Sequence, residues 1–191
     1  MIDSIDCAKQ KIRAVISKSS VPEDPIHAEN VLEWILKLKP DADETLQIAA
    51  LAHDIERSVE GMKIQRSDFD DYNQFKAAHA NNSAKILKDI LHKCQVEQSI
   101  VDEACRLVER HEIGGEQRSD LLKNADSISY FEVNMPLYFQ REGYEETLKR
   151  CIWGYQKLSP KMKKICQNIT YPHHSLVKIL KEAIYKSSEG G

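Results

Sequence analysis

Six side chains in this sequence are of the kinds that bind a divalent metal, and helical spacing turns them inward: His27, His53, Asp54, His79, His111 and Asp126. The sharpest signal lies in LQIAALAHDIERSVEG, Leu46 to Gly61, where an apolar run ends in a histidine beside an aspartate. An ionised Asp is costly to bury without a partner. The pair therefore either marks the end of a helix or holds something cationic. Imidazole and carboxylate together suit Mn, Fe, Co, Ni or Zn better than Ca or Mg. An ion would also supply the positive charge that inward-facing Asp54 and Asp126 require.

Apolar residues three and four apart define the face each helix buries. His27 lines up with Val31, Trp34 and Leu38, and His53 follows Leu46, Ala49 and Ala50. His79 continues Tyr72 and Phe75, with Ile86 and Ile90 beyond it. His111 extends Val101, Ala104 and Val108, and Asp126 shares a face with Leu122 and Val133. Taken singly, a His on such a stripe is usually a hydrogen-bonded core residue, and a His-Asp dipeptide is common by chance. Four inward histidines out of seven, on four different helices, are harder to assign to core packing. Adjacent helical residues point about 100° apart. His53 and Asp54 can thus grip an ion from one side only, leaving His27 and Asp126 to close the shell. Spacing alone leaves open whether these residues meet.

The elements that must position them are helices, and no convincing alternating strand is present. The sequence predicts a helix over 3–19, then a break at SSVPEDP with Asp24-Pro25 as N-cap and N1 of a helix ending before Pro40. Asp41 and Glu44 resemble a capping box opening the helix that carries LQIAALAHDIER. Residues 58–70 read as an exposed polar loop, with helices over about 71–94 and 97–112. IGGEQRSD reads as a loop with Ser119 as a cap, followed by a helix over about 120–140. Three more helices follow in YEETLKRCIWGYQKL, PKMKKICQNI and HHSLVKILKEAIYK, and SSEGG reads as a frayed tail. The sum is an all-α bundle, taken as one domain over 1–191 with a motif-bearing core at about 25–135 and C-terminal helices at about 143–187 packed on it.

With 191 residues and 41% hydrophobic composition the chain can build a substantial core, and a formal net charge of −3 gives no field to recruit a nucleic-acid polymer or an anionic membrane. The N-terminus MIDSIDCAKQKIRAV lacks an apolar signal-peptide region, and no run approaches the length of a membrane span. Five cysteines, Cys7, Cys94, Cys105, Cys151 and Cys166, are widely spaced and never form a CxxC pair. They read as reduced, mostly core-filling thiols of a cytoplasmic protein. Oligomeric state is not readable from the sequence.

The ordered set His27, His53-Asp54 and Asp126 resembles the H…HD…D pattern of the HD superfamily of metal-dependent phosphohydrolases. The flanks PIHAENVLEWI, AALAHDIER and LLKNADSISYFE are similar to that family's ligand-bearing segments, so the resemblance covers about residues 25–135. It implies the HD-domain helical bundle, with His27, His53, Asp54 and Asp126 on a first metal. Some branches place two further histidines between HD and the last Asp, and these bind a second metal bridged through the HD aspartate. His79 and His111, the latter in ERHEIGG, occupy that interval. They would hold a second ion, or else contact substrate phosphate beside a single one. No GYP-type signature follows, which disfavours a cyclic-di-GMP phosphodiesterase of that subclass.

The chemistry implied is hydrolysis of a phosphate ester or anhydride, on a nucleotide, by a metal-activated water. Charge on the transferring phosphoryl group needs nearby cations. Arg57, four residues after His53, is the first phosphate-binding candidate; the competing reading is a residue capping the helix C-terminus. Lys85, Arg118 and Lys123 are weaker candidates, and Lys63 and Arg66 sit in a loop that could close over a ligand. Tyr130, Phe131 and Tyr138 could stack on a base, although their helical spacing favours the core. His92, His173 and His174 read as surface. Two rival classes remain: a catalytically silent metal- and nucleotide-binding sensory module, and a helical scaffold whose histidines only hydrogen-bond.

Overall fold

Capping side chains and buried stripes set the helices of the computed structural model, which describes residues 3–189. The chain divides into two compact units, Met1–Asp126 and Ser127–Gly191. Both are helical, and no strand occurs among the described residues. The expected all-α bundle is the observed fold class. No helix among the described residues is long and apolar enough to cross a membrane.

In the first unit, α1 (Ser4–Ile16) is capped by Asp3, whose carboxylate accepts from the Ile5 N–H at 2.7 Å. α2 spans Glu23–Leu38. It starts two residues earlier than the sequence suggested, and Asp24, the expected cap, lies buried in its first turn. Pro25 is tolerated there, since first-turn N–H groups have no intrahelical acceptor. α3 (Glu44–Ala52) is capped by Asp43, which accepts from Leu46 N–H at 3.0 Å. The expected cap, Asp41, pairs with Lys39 at 2.8 Å. α3 also ends sooner than expected, giving way to a 3₁₀ turn at Ile55–Ser58. Residues 59–71 form the expected loop, with one 3₁₀ turn at Arg66–Asp68.

α4 (Tyr72–Lys93) is capped by Asp71, and α5 spans Gln98–Arg110. α6 (Gln117–Ser129) begins before Ser119, whose hydroxyl donates to Glu116 C=O at 3.1 Å from inside the first turn. Almost all of α3 is buried, and α1, α2 and α5 pack around it, with α4 against α5. Ile12, Ile35, Leu46, Ile48, Leu51, Leu87, Leu91 and Leu107 are among the largest fully buried side chains of that core.

The second unit is cored by Ile128, Phe131, Met135, Leu148, Cys151, Met162, Leu176 and Ile179. The expected 120–140 helix is helical throughout but changes its winding partway. A single π-helical turn, Tyr130–Asn134, follows α6, and α7 (Met135–Lys157) breaks at Gly143, where φ is +77°. Glycine takes that conformation without the Cβ penalty other residues would meet. α8 (Pro160–Gln167) is capped by Ser159, and α9 spans His174–Glu189, packed on α7. Ser187 and Ser188 belong to α9, so the expected frayed tail does not begin there, and Gly190 and Gly191 lie outside the described residues. Met1 and Ile2, part of the segment read for a leader, also lie outside them.

The expectation of five reduced cysteines is corrected. Cys7 of α1 and Cys94, the residue closing α4, form a disulfide across 87 residues of sequence. Cys105, Cys151 and Cys166 are free and buried, as expected. Contact between α1 and α4 creates the pairing, and sequence spacing carries no trace of it.

Candidate metal centre

All six inward residues lie in the first unit, and two trios gather their donor atoms: His27, His53 and Asp126, and Asp54, His79 and His111. Within each trio the donor atoms are within 4.8 Å of one another. α2 supplies His27, the end of α3 His53, α4 His79, the residue closing α5 His111, and α6 Asp126. The early end of α3 separates His53 from Asp54. His53 keeps helical angles, whereas Asp54 turns to φ −109° and ψ 16°, outside the helix. One side chain can then enter each trio.

His27 Nε2 lies 3.1 Å from both His53 Nε2 and Asp126 Oδ1. Asp54 spans the two trios. Its Oδ1 lies 2.7 Å from His79 Nε2 and 3.7 Å from His111 Nε2, while its Oδ2 is 3.8 Å from His53 Nε2.

The opposite edges of the rings fix their orientation. His53 Nδ1 donates to Ala50 C=O at 2.8 Å, and His111 Nδ1 donates to Val108 C=O at 2.7 Å. His79 Nδ1 donates to the Glu56 carboxylate. These acceptors hold the proton on Nδ1 and leave Nε2 as the atom facing the centre, the usual arrangement for a metal-ligating imidazole. His111 Nε2 is buried with no hydrogen-bond partner. An unsatisfied buried nitrogen is uncommon, and a cation among Asp54, His79 and His111 would satisfy it. The donor set therefore fits a metal.

Electrostatics agree. Burial alone would push the His53 imidazole down, but Asp54 and Asp126 outweigh it and hold it up at about 9. His79 behaves likewise, with burial opposed by Asp54 and Glu56, and stands at about 10. Burial lowers His111. Asp54 and Asp126 stay far below the carboxylate range: burial opposes this, but Arg57, His53 and His79 prevail at Asp54, and His27 and His53 at Asp126. Without an ion, protons on His53 and His79 balance the buried carboxylates.

A metal must displace those protons. Below pH 9 the filling of both trios should release about two protons, so the overall binding constant should rise about a hundredfold per pH unit. The gain should flatten as pH passes about 9, where the His53 proton leaves unaided. Calorimetry in buffers of different ionisation enthalpy counts the protons. Release of none would show that the metal binds elsewhere.

Arg57 stands at the edge of this centre with its side chain 36% exposed, its Nη1 donating to Asp54 Oδ2 at 2.7 Å and lying 3.6 Å from Asp24 Oδ1. The other candidate cations are placed elsewhere. Lys85 is exposed on α4. Arg118 makes a two-pronged contact with Asp43 at 2.7 and 2.9 Å and reaches Glu103 at 3.0 Å. Lys123 donates to Ile113 C=O at 3.2 Å. In the loop, Arg66 donates to Phe69 C=O and lies over the Tyr72 ring. Within the second unit Tyr130 packs on Phe131 and Tyr138, under Arg150. His92, His173 and His174 are exposed.

Two contributors escaped the sequence reading. Glu56 is almost wholly buried and accepts from both His79 Nδ1 and Ile64 N–H, so it orients a metal-facing ring and anchors the loop. Asp24 is buried beside Arg57, and Ser19 donates to its Oδ2 at 2.6 Å. Burial raises the Asp24 pKa, with Arg57 only partly offsetting it. Glu56 adjoins the His-Asp pair in sequence, but its direction depends on the 3₁₀ turn. Asp24 carries the signature of a cap and so gave no other signal.

A family model described as a domain of unknown function, DUF4202, matches residues 2–179 of the chain. No curated protein and no solved structure matches it.

Proposed function

We propose that this chain, which belongs to the DUF4202 family, is a metal-dependent phosphohydrolase that cleaves a phosphate ester or anhydride of a nucleotide. One observation carries the reading: two buried His/Asp trios meet at a single carboxylate, Asp54, with imidazole Nε2 atoms turned toward it. The ordered resemblance to the HD superfamily supports it, because the same residues occupy that family's pattern. The reading includes two ions of Mn, Fe, Co, Ni or Zn and a cytoplasmic site of action.

When bound, such ions lower the pKa of coordinated water and polarise a phosphoryl oxygen. The chain does the rest. His27, His53 and Asp126 hold one site, His79 and His111 the other, and Asp54 faces both. Ala50 and Val108 carbonyls and the Glu56 carboxylate keep the His53, His111 and His79 rings in register. Arg57, half-exposed beside Asp54, presents its remaining N–H groups to the equatorial phosphoryl oxygens, where charge develops. Asp24 holds that guanidinium from behind.

Metal analysis of protein purified without chelator, followed by phosphate-release assays with Mn, Co or Fe over a nucleotide panel, tests the proposal. The expected result is close to two ions per chain and turnover that a chelator abolishes. Stoichiometric metal without turnover would favour the sensory module. Absence of metal would leave the helical scaffold.

A further inference from the structure

We propose that the Cys7–Cys94 disulfide is a thiol–disulfide exchange site for a small anionic thiol. The bridge is not sealed in the core. Both cysteines line a groove of about 540 Å³, and Cys7 is only half-buried. Gln10 and Lys11 line the same groove from α1, three and four residues after Cys7 and so on its face of the helix. Lys93 and Gln95 line it beside Cys94. Gln95 adopts a left-handed conformation, φ +58°, and the Val96 N–H returns to Leu91 C=O at 3.1 Å. That tight turn keeps Lys93, Cys94 and Gln95 together at one edge.

The groove thus offers two ammonium groups and two amides around a disulfide, and no carboxylate lines it among the described residues. Its chemistry selects a thiol that carries its own carboxylates. The thiolate of such a molecule attacks the Sγ of Cys7, the less buried of the two cysteines. The Sγ–Sγ bond breaks, and its electron pair leaves on Cys94 Sγ, which takes a proton from water. A second small thiolate attacks the small-thiol sulfur of the mixed disulfide and releases Cys7 as a thiolate, which is protonated in turn. Two small thiols are oxidised to one small disulfide, and the protein disulfide is reduced to two thiols. Lys11 and Lys93 hold the incoming carboxylates and stabilise the departing thiolate.

The remaining cysteines do not compete. Burial pushes the Cys105 thiol up to about 11, and those of Cys151 and Cys166 up to about 12. They stay protonated and shielded, so exchange is confined to the bridge.

The test uses the full chain at low salt with glutathione (anionic), 2-mercaptoethanol (neutral) and cysteamine (cationic). Loss of the Cys7–Cys94 bridge is followed by alkylation and mass spectrometry, with each rate divided by the thiolate concentration. The expected result is that glutathione reacts about tenfold faster than cysteamine, and that high salt removes the difference. Lys11→Glu with Lys93→Glu should reverse the order, and glutathione should be found on Cys7 when Cys94→Ser protein is treated with its oxidised form. Rates independent of thiol charge in the unmodified protein would overturn the proposal without any variant. So would a bridge that resists reduction until the protein is denatured.

Discussion

Asp54→Ala protein should lose at least one bound ion and at least about a thousandfold of its phosphate-releasing rate, a loss of about 4 kcal/mol in transition-state stabilisation. The size follows from the place Asp54 holds. Its Oδ1 is 2.7 Å from His79 Nε2 and 3.7 Å from His111 Nε2, and its Oδ2 is 3.8 Å from His53 Nε2. It is the only carboxylate in its trio, so alanine leaves two neutral imidazoles to hold a divalent ion. Arg57 loses its 2.7 Å partner at the same time and keeps only Asp24 at 3.6 Å, so the guanidinium proposed to face the phosphoryl group is less firmly held. Asp54→Asn keeps the volume and removes the charge. It should fail in the same way, which separates loss of charge from loss of packing. Circular dichroism should show unchanged helix content, since Asp54 lies outside α3 in a turn. Full metal content and an unchanged rate in either variant would refute the assignment.

The all-α fold was legible because α1, α4 and α5 present apolar stripes of helical period, and Asp or Ser residues cap α1, α3, α4 and α8. What escaped was what tertiary packing decides. Asp24 has the composition of a cap, yet the chain begins α2 at Glu23 and buries Asp24 against Arg57. Asp41 and Asp43 are equally good caps on paper, and the backbone chose Asp43. The periodic pattern carries through Ile55, so nothing in the sequence announces that α3 stops at Ala52. That stop aims His53 and Asp54 into different trios and brings Glu56 behind His79. At the site, then, the histidines were legible as inward residues. The carboxylates that orient and balance them were visible only where they also stood beside a histidine or on a stripe. Cys7 and Cys94 were beyond reach because a pair 87 residues apart is defined only by how α1 meets α4.

That bridge carries the second large effect. Reduction of Cys7–Cys94 should destabilise the first unit by about 3–5 kcal/mol. A cross-link spanning 87 residues removes much of the freedom of the unfolded chain, and the loop-entropy relation puts a loop of this length near the top of that range. The folded state loses little, because α1 stays held by Ala8, Ile12 and Ile16 in the core. For a chain of this size each kcal/mol moves the midpoint by roughly 2–4 °C, so thermal unfolding should fall by roughly 10 °C. The bridge lies wholly within Met1–Asp126, and the second unit has its own core. A melt that resolves two steps should therefore shift in one of them only. Cys7→Ser with Cys94→Ser should melt like the reduced unmodified protein and be indifferent to reductant. A reduced protein that melts where the oxidised one does would mean that the cross-link does not restrain the unfolded chain of this unit.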